Sequence, residues 1–216
     1  MSKHTPITPE SPDLDAVEWG DAPSTLKDSA AFDRIHLRTP YSHLFSSRSV
    51  TFDQSKLTNT ALTASTLPST RWTDCIIQAA DLSGATWIDA RLIRVQITNT
   101  KLTGFDARGS TLRDVHFKEC KAPDMLLSES TFDRVRFDQC QLTKLDLAGA
   151  QIKSLAINNS DARSLLLSGA KIDHLDLRDS LIEDIVISQS QLNHITISRA
   201  QAPALAQALG VRITDS

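Results

Sequence analysis

Large apolar side chains recur along this chain with a period of five. Counting from Phe32 and Leu37, the series runs through Phe52, Leu57, Leu62, Leu67, Trp72, Ile77, Leu82, Trp87, Leu92 and Ile97, and on through Leu147, Ile152, Ile157, Leu167 and Ile197 to Ala202. Of the 35 positions in phase, 29 are large and apolar, four are Ala, and Ser42 and Ser47 complete the set. An α-helix cannot use this spacing, because five residues at about 100° each carry successive apolar positions around the cylinder. A single straight strand fails as well, since its faces alternate with period two. The pattern predicts a chain that turns a corner every five residues. Within each unit the residue two before the central one is also apolar or small, so the pair points inward together. The other three positions are mostly polar and face water. Gly84, Gly104, Gly109, Gly149 and Gly169 all occupy the last position of a unit, where glycine eases a corner.

The first inward positions carry a second signal. Those numbered in tens, from Ala80 to Ala200, are Ala, Thr, Ser or Cys; those numbered in fives, from Val95 to Ile195, are Val, Phe, Met, Leu or Ile. With four sides, small residues line two opposite walls and large ones the other two. With three sides they would alternate up each wall, so stacking of like on like favours four. Volume is also traded within units: Phe105 precedes Ala107, and Phe45 precedes Ser47.

The units Ala80-Asp81-Leu82-Ser83-Gly84 and Leu145-Asp146-Leu147-Ala148-Gly149 resemble the pentapeptide-repeat family, whose units read A-(D/N)-L-x-x. The resemblance covers about residues 30–202. It implies an all-β fold, a right-handed quadrilateral parallel β-helix with four units, or 20 residues, per coil. About 8.6 coils at roughly 4.8 Å each give a rod about 41 Å long. Each coil contacts only its neighbours, so both ends need caps. Three regions are expected: residues 1–29, an acidic, Pro-rich tail and N-terminal cap; residues 30–202, the β-helix; and residues 203–216, a C-terminal cap. Residues 1–12 read as disordered, with Leu14, Val17, Trp19 and Leu26 as a cap. Thr39–Ser49 breaks the pattern and predicts an irregular coil or an outward loop. Pro203 to Gly210 predicts a short helix, with Pro in its first turn and Gly past its end. Leu205 and Leu209 are expected to lie over the last coil, and Val211 and Ile213 to alternate as a short strand.

Charge narrows the function classes. The chain carries 23 basic and 26 acidic residues, which excludes a nucleic-acid binder driven by bulk positive charge. No apolar run approaches the roughly 20 residues of a membrane span, and no signal peptide is visible at the N-terminus. Three cysteines without a pairing pattern point to a reducing compartment, hence the cytoplasm; a bacterial source is implied by the resemblance alone.

No motif for catalysis, cofactor or metal binding survives inspection, and no residue is assigned to such a site. Gly104-Phe-Asp-Ala-Arg-Gly109-Ser-Thr imitates a phosphate loop but lacks the lysine, and its glycines fall at corners. His174 and His194 stack one coil apart at outward corners, with no third ligand at 154 or 214 in their column. Cys120 and Cys140 are one coil apart in an inward column, within disulfide range by backbone spacing, but their side chains would run parallel into the core. They and Cys75 read as buried free thiols. The corner column Arg34, Gln54, Asp74, Arg94, Asp114, Arg134, Ser154, His174, His194 alternates sign between coils and reads as a surface salt-bridge ladder worth ~0–1 kcal/mol per pair.

These readings point to a non-enzymatic scaffold with no cofactor, binding an unknown protein partner, without direct nucleic-acid or membrane contact. It would be a monomer, or a homodimer through its C-terminal end. The alternative comes from the resemblance: quinolone-resistance pentapeptide proteins bind bacterial DNA gyrase with a rod that imitates duplex DNA. That mechanism wants an acidic stripe. Residues 30–202 hold 20 basic and 19 acidic side chains, which disfavours it.

Overall fold

A computed structural model describes residues 7–14, 18–20, 26–38 and 45–214. The strands run from Ala31–Asp33 to Ile195–Thr196 and pair in parallel. Each residue meets its partner 20 positions on: Phe52 pairs with Trp72, Trp72 with Leu92, Leu92 with Leu112, and Leu112 with Phe132. The five-residue period is therefore a four-sided coil, and the molecule is an all-parallel β-solenoid. Four strands, Arg71–Gln78, Arg91–Thr98, Thr111–Lys118 and Thr131–Asp138, bend around one corner and cover two faces each. The remaining two faces are held by single bridges such as Asp81 to Lys101 and Thr86 to Asp106.

The inward phase is the one read from the sequence. Leu82, Leu102, Ala122, Leu142 and Ala162 stack on one wall, all fully buried. Where a coil takes in bulk, its other positions shrink. Trp72 and Trp87 stack in one coil with ring centroids 4.8 Å apart, and the same coil holds Cys75, Ala80, Ala85 and Ala90. Phe52 stacks on Trp72 at 4.0 Å and Phe117 on Phe137 at 4.4 Å.

The corner is made at the last position of each unit. Residues ending in 4 or 9 adopt positive φ almost throughout, including Ala64, Asp89, Asn99 and Lys144 as well as the glycines. Gly109 has a second reason to be glycine: a Cβ there would stand 2.6 Å from Asp89 Oδ1 on the preceding coil. The acidic residue before the central one fastens the turn. Asp81, Asp106, Asp146, Asp161 and Asp176 each accept the N–H two residues on.

The small inward positions do more than save volume. Ser110 Oγ accepts the Ala90 N–H at 2.9 Å and donates to the Trp87 carbonyl at 3.3 Å. Ser130 and Ser180 repeat the arrangement one coil on from their own partners. Cysteine takes the same place, with Cys75 donating to Phe52 O and Cys120 to Ile97 O. All three cysteines are free and buried.

The ends differ from the sequence reading in several respects. Residues 7–14, expected to be disordered up to 12, lie against the side of the rod. Phe45 and Ser47 already follow the coil register, both buried, and Ser47 Oγ donates to Leu26 O at 2.9 Å; Ser42 and the rest of 39–44 lie outside the described residues. Leu26 packs on the core end. Trp19 is partly exposed beside His36, with centroids 5.3 Å apart, and Val17 lies outside the described residues. At the C-terminus the helix spans Ala202–Ala208, with Gly210 at φ +82° beyond it. Leu205 packs against the core, whereas Leu209, Val211 and Ile213 are exposed. No strand forms at Val211 and Ile213; the helix Ala202–Ala208 separates them from the last paired strand, Ile195–Thr196.

Before that helix the corners give way to 3-10 turns at Gln189–His194 and Arg199–Gln201. Gln191 Oε1 accepts the Ser188 N–H and hydroxyl, and its Nε2 donates to Leu167 O and Ala170 O at 2.8 Å each. Gln201 repeats this ten residues later, from Ser198 to Leu177 O and Ser180 O. In a regular coil a main-chain N–H would reach the Ala170 carbonyl, as Lys171 N does at Ala150 O. Two side-chain amides thus close a ladder that would otherwise end in bare carbonyls.

Two outcomes are expected. Leu147→Asp puts an unpaired carboxylate in a fully buried mid-rod layer and should cost more than about 4 kcal/mol. Asp146→Ala loses the bond to the Ala148 N–H, about 0.5–1.5 kcal/mol, and a weak exposed attraction to Arg108. Chemical denaturation of both variants checks this, and matching melts would contradict the inward phase. Burial pushes the Cys75 thiol up to about 12, leaving on the order of one part in ten thousand as thiolate at pH 8. A thiol reagent should label the three cysteines only after denaturation, and fast native labelling of all three would contradict their burial.

Candidate partner-binding wall

The corner column that alternates in sign proves to be two discrete pairs. Arg94 grips Asp74 with Nε and Nη2 at 2.6 Å each, and Arg134 grips Asp114 in the same way. All four residues sit at positive φ, so each coil aims its corner side chain at the next. These pairs are more than an exposed ladder. The Asp114 side chain is 3 % exposed and that of Asp74 11 %. Two-point contacts of this kind are stronger than single exposed contacts. The column changes beyond Arg134, where Ser154 and His174 lack the positive φ of their predecessors.

What covers the carboxylates is the N-terminal segment. Asp114 Oδ1 accepts the Glu10 N–H at 3.2 Å and Asp74 Oδ1 accepts the Asp13 N–H at 3.3 Å. Gln54 Nε2 donates to Asp13 O at 3.4 Å. Residues 7–14 therefore run down the rod against the direction of coil growth, and the Gly20 N–H reaches Arg34 O. The upper end of residues 7–14 is Ile7, buried beside Arg136, Asn158, Asp176 and Arg178. Pro9 and Pro12 lie beside Val95, Gln96 and His116. The His116 ring is pulled below its ordinary pKa by burial and by Arg136, and its Nε2 has no hydrogen-bond partner.

Other polar residues are used locally. Arg108, Arg163 and Arg178 each pair with the aspartate two residues before them. Gly104 and Gly109 are corners, and a strand starting at Thr111 follows them rather than a helix. His194 Nδ1 faces the Asp173 carbonyl at 3.3 Å. Among the described residues no three His, Cys, Asp or Glu side chains gather in a way that could hold a metal. The Cys120 thiol is pushed up by the neighbouring Cys140 thiol and by burial. One open, polar notch on the surface is lined by His36, Arg38, Lys56, Thr58 and Gln78. No helix among the described residues is long and apolar enough to cross a membrane.

Sequence reasoning found the alternating column and its salt-bridge pairing, but neither the burial of its carboxylates nor their cover. The signal for the pairing was the strict Asp-then-Arg order one coil apart. The signal for the cover was the spacing of Pro6, Pro9 and Pro12.

A four-sided all-parallel solenoid of five-residue units defines the class. The family model described as a pentapeptide repeat region matches residues 90–165 of this chain. No curated protein sequence matches it. Among solved structures, full-length QnrB1, a plasmid-mediated fluoroquinolone resistance protein, is 14% identical, with 89% of this chain and 100% of that chain covered at a TM-score of 0.41. HetL, involved in heterocyst differentiation regulation in the cyanobacterium Nostoc sp. strain PCC 7120, is 14% identical over 75% of this chain and 86% of its own, at 0.34. Rfr23 from the cyanobacterium Cyanothece 51142 is 9% identical over 74% and 92%, at 0.33.

The Asp114 pair should show in the acid response. Burial raises the Asp114 pKa, but the Arg134 contact and the Glu10 N–H outweigh it, and the folded value lies below the ordinary one. A depressed carboxylate contributes stability above its unfolded value and loses it as pH falls through the folded value. Stability should therefore drop as pH falls below about 4. Asp114→Asn should be about 1.5–3 kcal/mol less stable at pH 7 and show a shallower acid loss. Denaturant melts at pH 7, 4 and 3 check this; parallel pH curves for the two proteins would contradict the pairing.

Proposed function

We propose that this chain is a non-enzymatic scaffold that binds a protein partner along the outside of a rigid rod, in the cytoplasm. The observation that carries this reading is how the side chains are used. The inward positions fill the interior to near-zero exposure, and many outward charges are paired with one another, as Asp74 is with Arg94, Asp106 with Arg108 and Asp114 with Arg134. What remains for chemistry is a set of shallow polar walls, which suits recognition of another macromolecule. The three unpaired cysteines support a reducing compartment. Exposed Leu181, Val186, Leu209, Val211 and Ile213 toward the C-terminal end support a homodimer over a monomer.

The same pairing argues against imitation of DNA. A polyanion surface needs uncompensated acid, yet Asp74, Asp106, Asp114, Asp161 and Asp176 each hold an arginine. The N-terminal segment brings Glu10 to the wall where Arg94 and Arg134 feel its field. Mismatched potentials at a cationic groove weaken affinity and slow encounter. Micromolar protein should leave gyrase supercoiling uninhibited and give no rescue from a fluoroquinolone. Salt-sensitive inhibition at low micromolar protein would overturn this part of the reading. Affinity capture from lysate of the source organism, with gyrase subunits looked for explicitly, tests the scaffold reading itself.

A further inference from the structure

The N-terminal segment and the wall beneath it share a period. Residues 5–13 are three triplets, Thr5-Pro6-Ile7, Thr8-Pro9-Glu10 and Ser11-Pro12-Asp13. The residue after proline supplies the N–H in the second and third triplets, to Asp114 and to Asp74. Those carboxylates are two coils apart, roughly 9.6 Å at 4.8 Å per coil, and three residues of extended or polyproline chain span about 9–10 Å. A further step of the same length leads from Glu10 to Ile7, which is buried two coils higher, beside Asn158 and Asp176. Proline suits every third position, because those residues donate nothing and their φ is already fixed. Thr8, Glu10, Ser11 and Asp13 are exposed, while Pro9, Pro12 and Leu14 are half-buried. Recognition therefore runs through the backbone, the prolines and Ile7. The Glu10 carboxylate lies in the field of Arg94 and Arg134. A wall that reads spacing, N–H groups and proline does not depend on which chain supplies them.

We propose that the wall formed by Asp74, Arg94, Asp114 and Arg134 with Gln96 and His116 is a docking surface for an extended, proline-rich segment of a partner protein, with proline at every third position and a free N–H on the residue after it, and that residues 7–14 occupy it in cis. This rests on the scaffold reading and names one surface and one ligand chemistry for it. Among the described residues the cis contact is made by two N–H bonds, one amide contact, the buried Ile7 and the half-buried Pro9, Pro12 and Leu14, few enough for a competing segment to displace it.

The test uses the full chain and a fluorescent synthetic peptide of residues 4–14. In the strap variant Glu10→Pro with Asp13→Pro, both N–H donors are lost while the wall is untouched. That variant should bind the wild-type peptide at least tenfold more tightly than the wild-type chain does, by fluorescence anisotropy. A peptide carrying the same two prolines should bind it at least tenfold more weakly. Excess unlabelled peptide should also speed amide exchange at Glu10 and Asp13 of the wild-type chain. No peptide binding to the strap variant, or equal binding of both peptides, overturns the proposal. If the wild-type chain sediments as a dimer and the strap variant as a monomer, the segment is exchanged between copies, and the partner-protein assignment is overturned. Capture of a partner that the peptide does not displace would leave the scaffold reading standing and sink this one.

Discussion

Everything in this molecule follows from a corner that must be turned every fifth residue. The turn requires positive φ at the last position of each unit, a conformation that costs an ordinary residue about 1 kcal/mol or more. Arginine, glutamine, lysine and alanine accept it here because the surroundings leave no alternative. The N–H of the left-handed residue still reaches a carbonyl on the next coil, as Ala64 does at Ser83 O and Gly84 at Thr103 O. The aspartate before the central residue ties down the turn that leads into it. With the corner fixed, the inward pair is fixed, and so is the column in which every outward side chain stands.

A ladder with strict register must also stop somewhere, and its ends are where regularity gives way. The C-terminal end is closed by Gln191 and Gln201, whose side-chain amides take the carbonyls that the next coil would have used. At the N-terminal end Gly20 pairs with Ile35 and Leu26 packs on the core. The two ends solve one problem with different chemistry: side-chain amides at one, main-chain pairing and Leu26 at the other.

How much of this could be read in advance depends on whether the determinant repeats. The inward phase, the four sides, the burial of Cys75, Cys120 and Cys140 and the terminal helix were all legible, because a local rule applied many times averages out exceptions. The hydroxyl ladder was half legible: small residues at positions in tens were read as volume, and the hydrogen bonds of Ser110, Ser130 and Ser180 appear only once coils are stacked. The seating of residues 7–14 was not legible. It depends on contacts with residues 61 and 104 positions away, and a polar Pro-rich composition is also that of a disordered tail. The Gln191 and Gln201 caps were hidden for another reason: Ser-x-x-Gln resembles any helix start, and its role depends on carbonyls two dozen residues earlier. The changed corners at Ser154 and His174 carry no signal in the sequence that distinguishes them from Ser164, which is left-handed.

The register also constrains what such a rod can display. Side chains in a corner column stand one coil apart, roughly 4.8 Å at the backbone, so neighbouring like charges would repel along the whole column while opposite charges pair. Asp74 with Arg94 and Asp114 with Arg134 take the second course, and in doing so they fix the carboxylates firmly enough to accept main-chain N–H groups from another segment. An unpaired carboxylate in that position would turn toward water. Neutral pairing therefore makes the wall poor at imitating a polyanion and good at recognising a peptide backbone, and both properties come from the same four side chains.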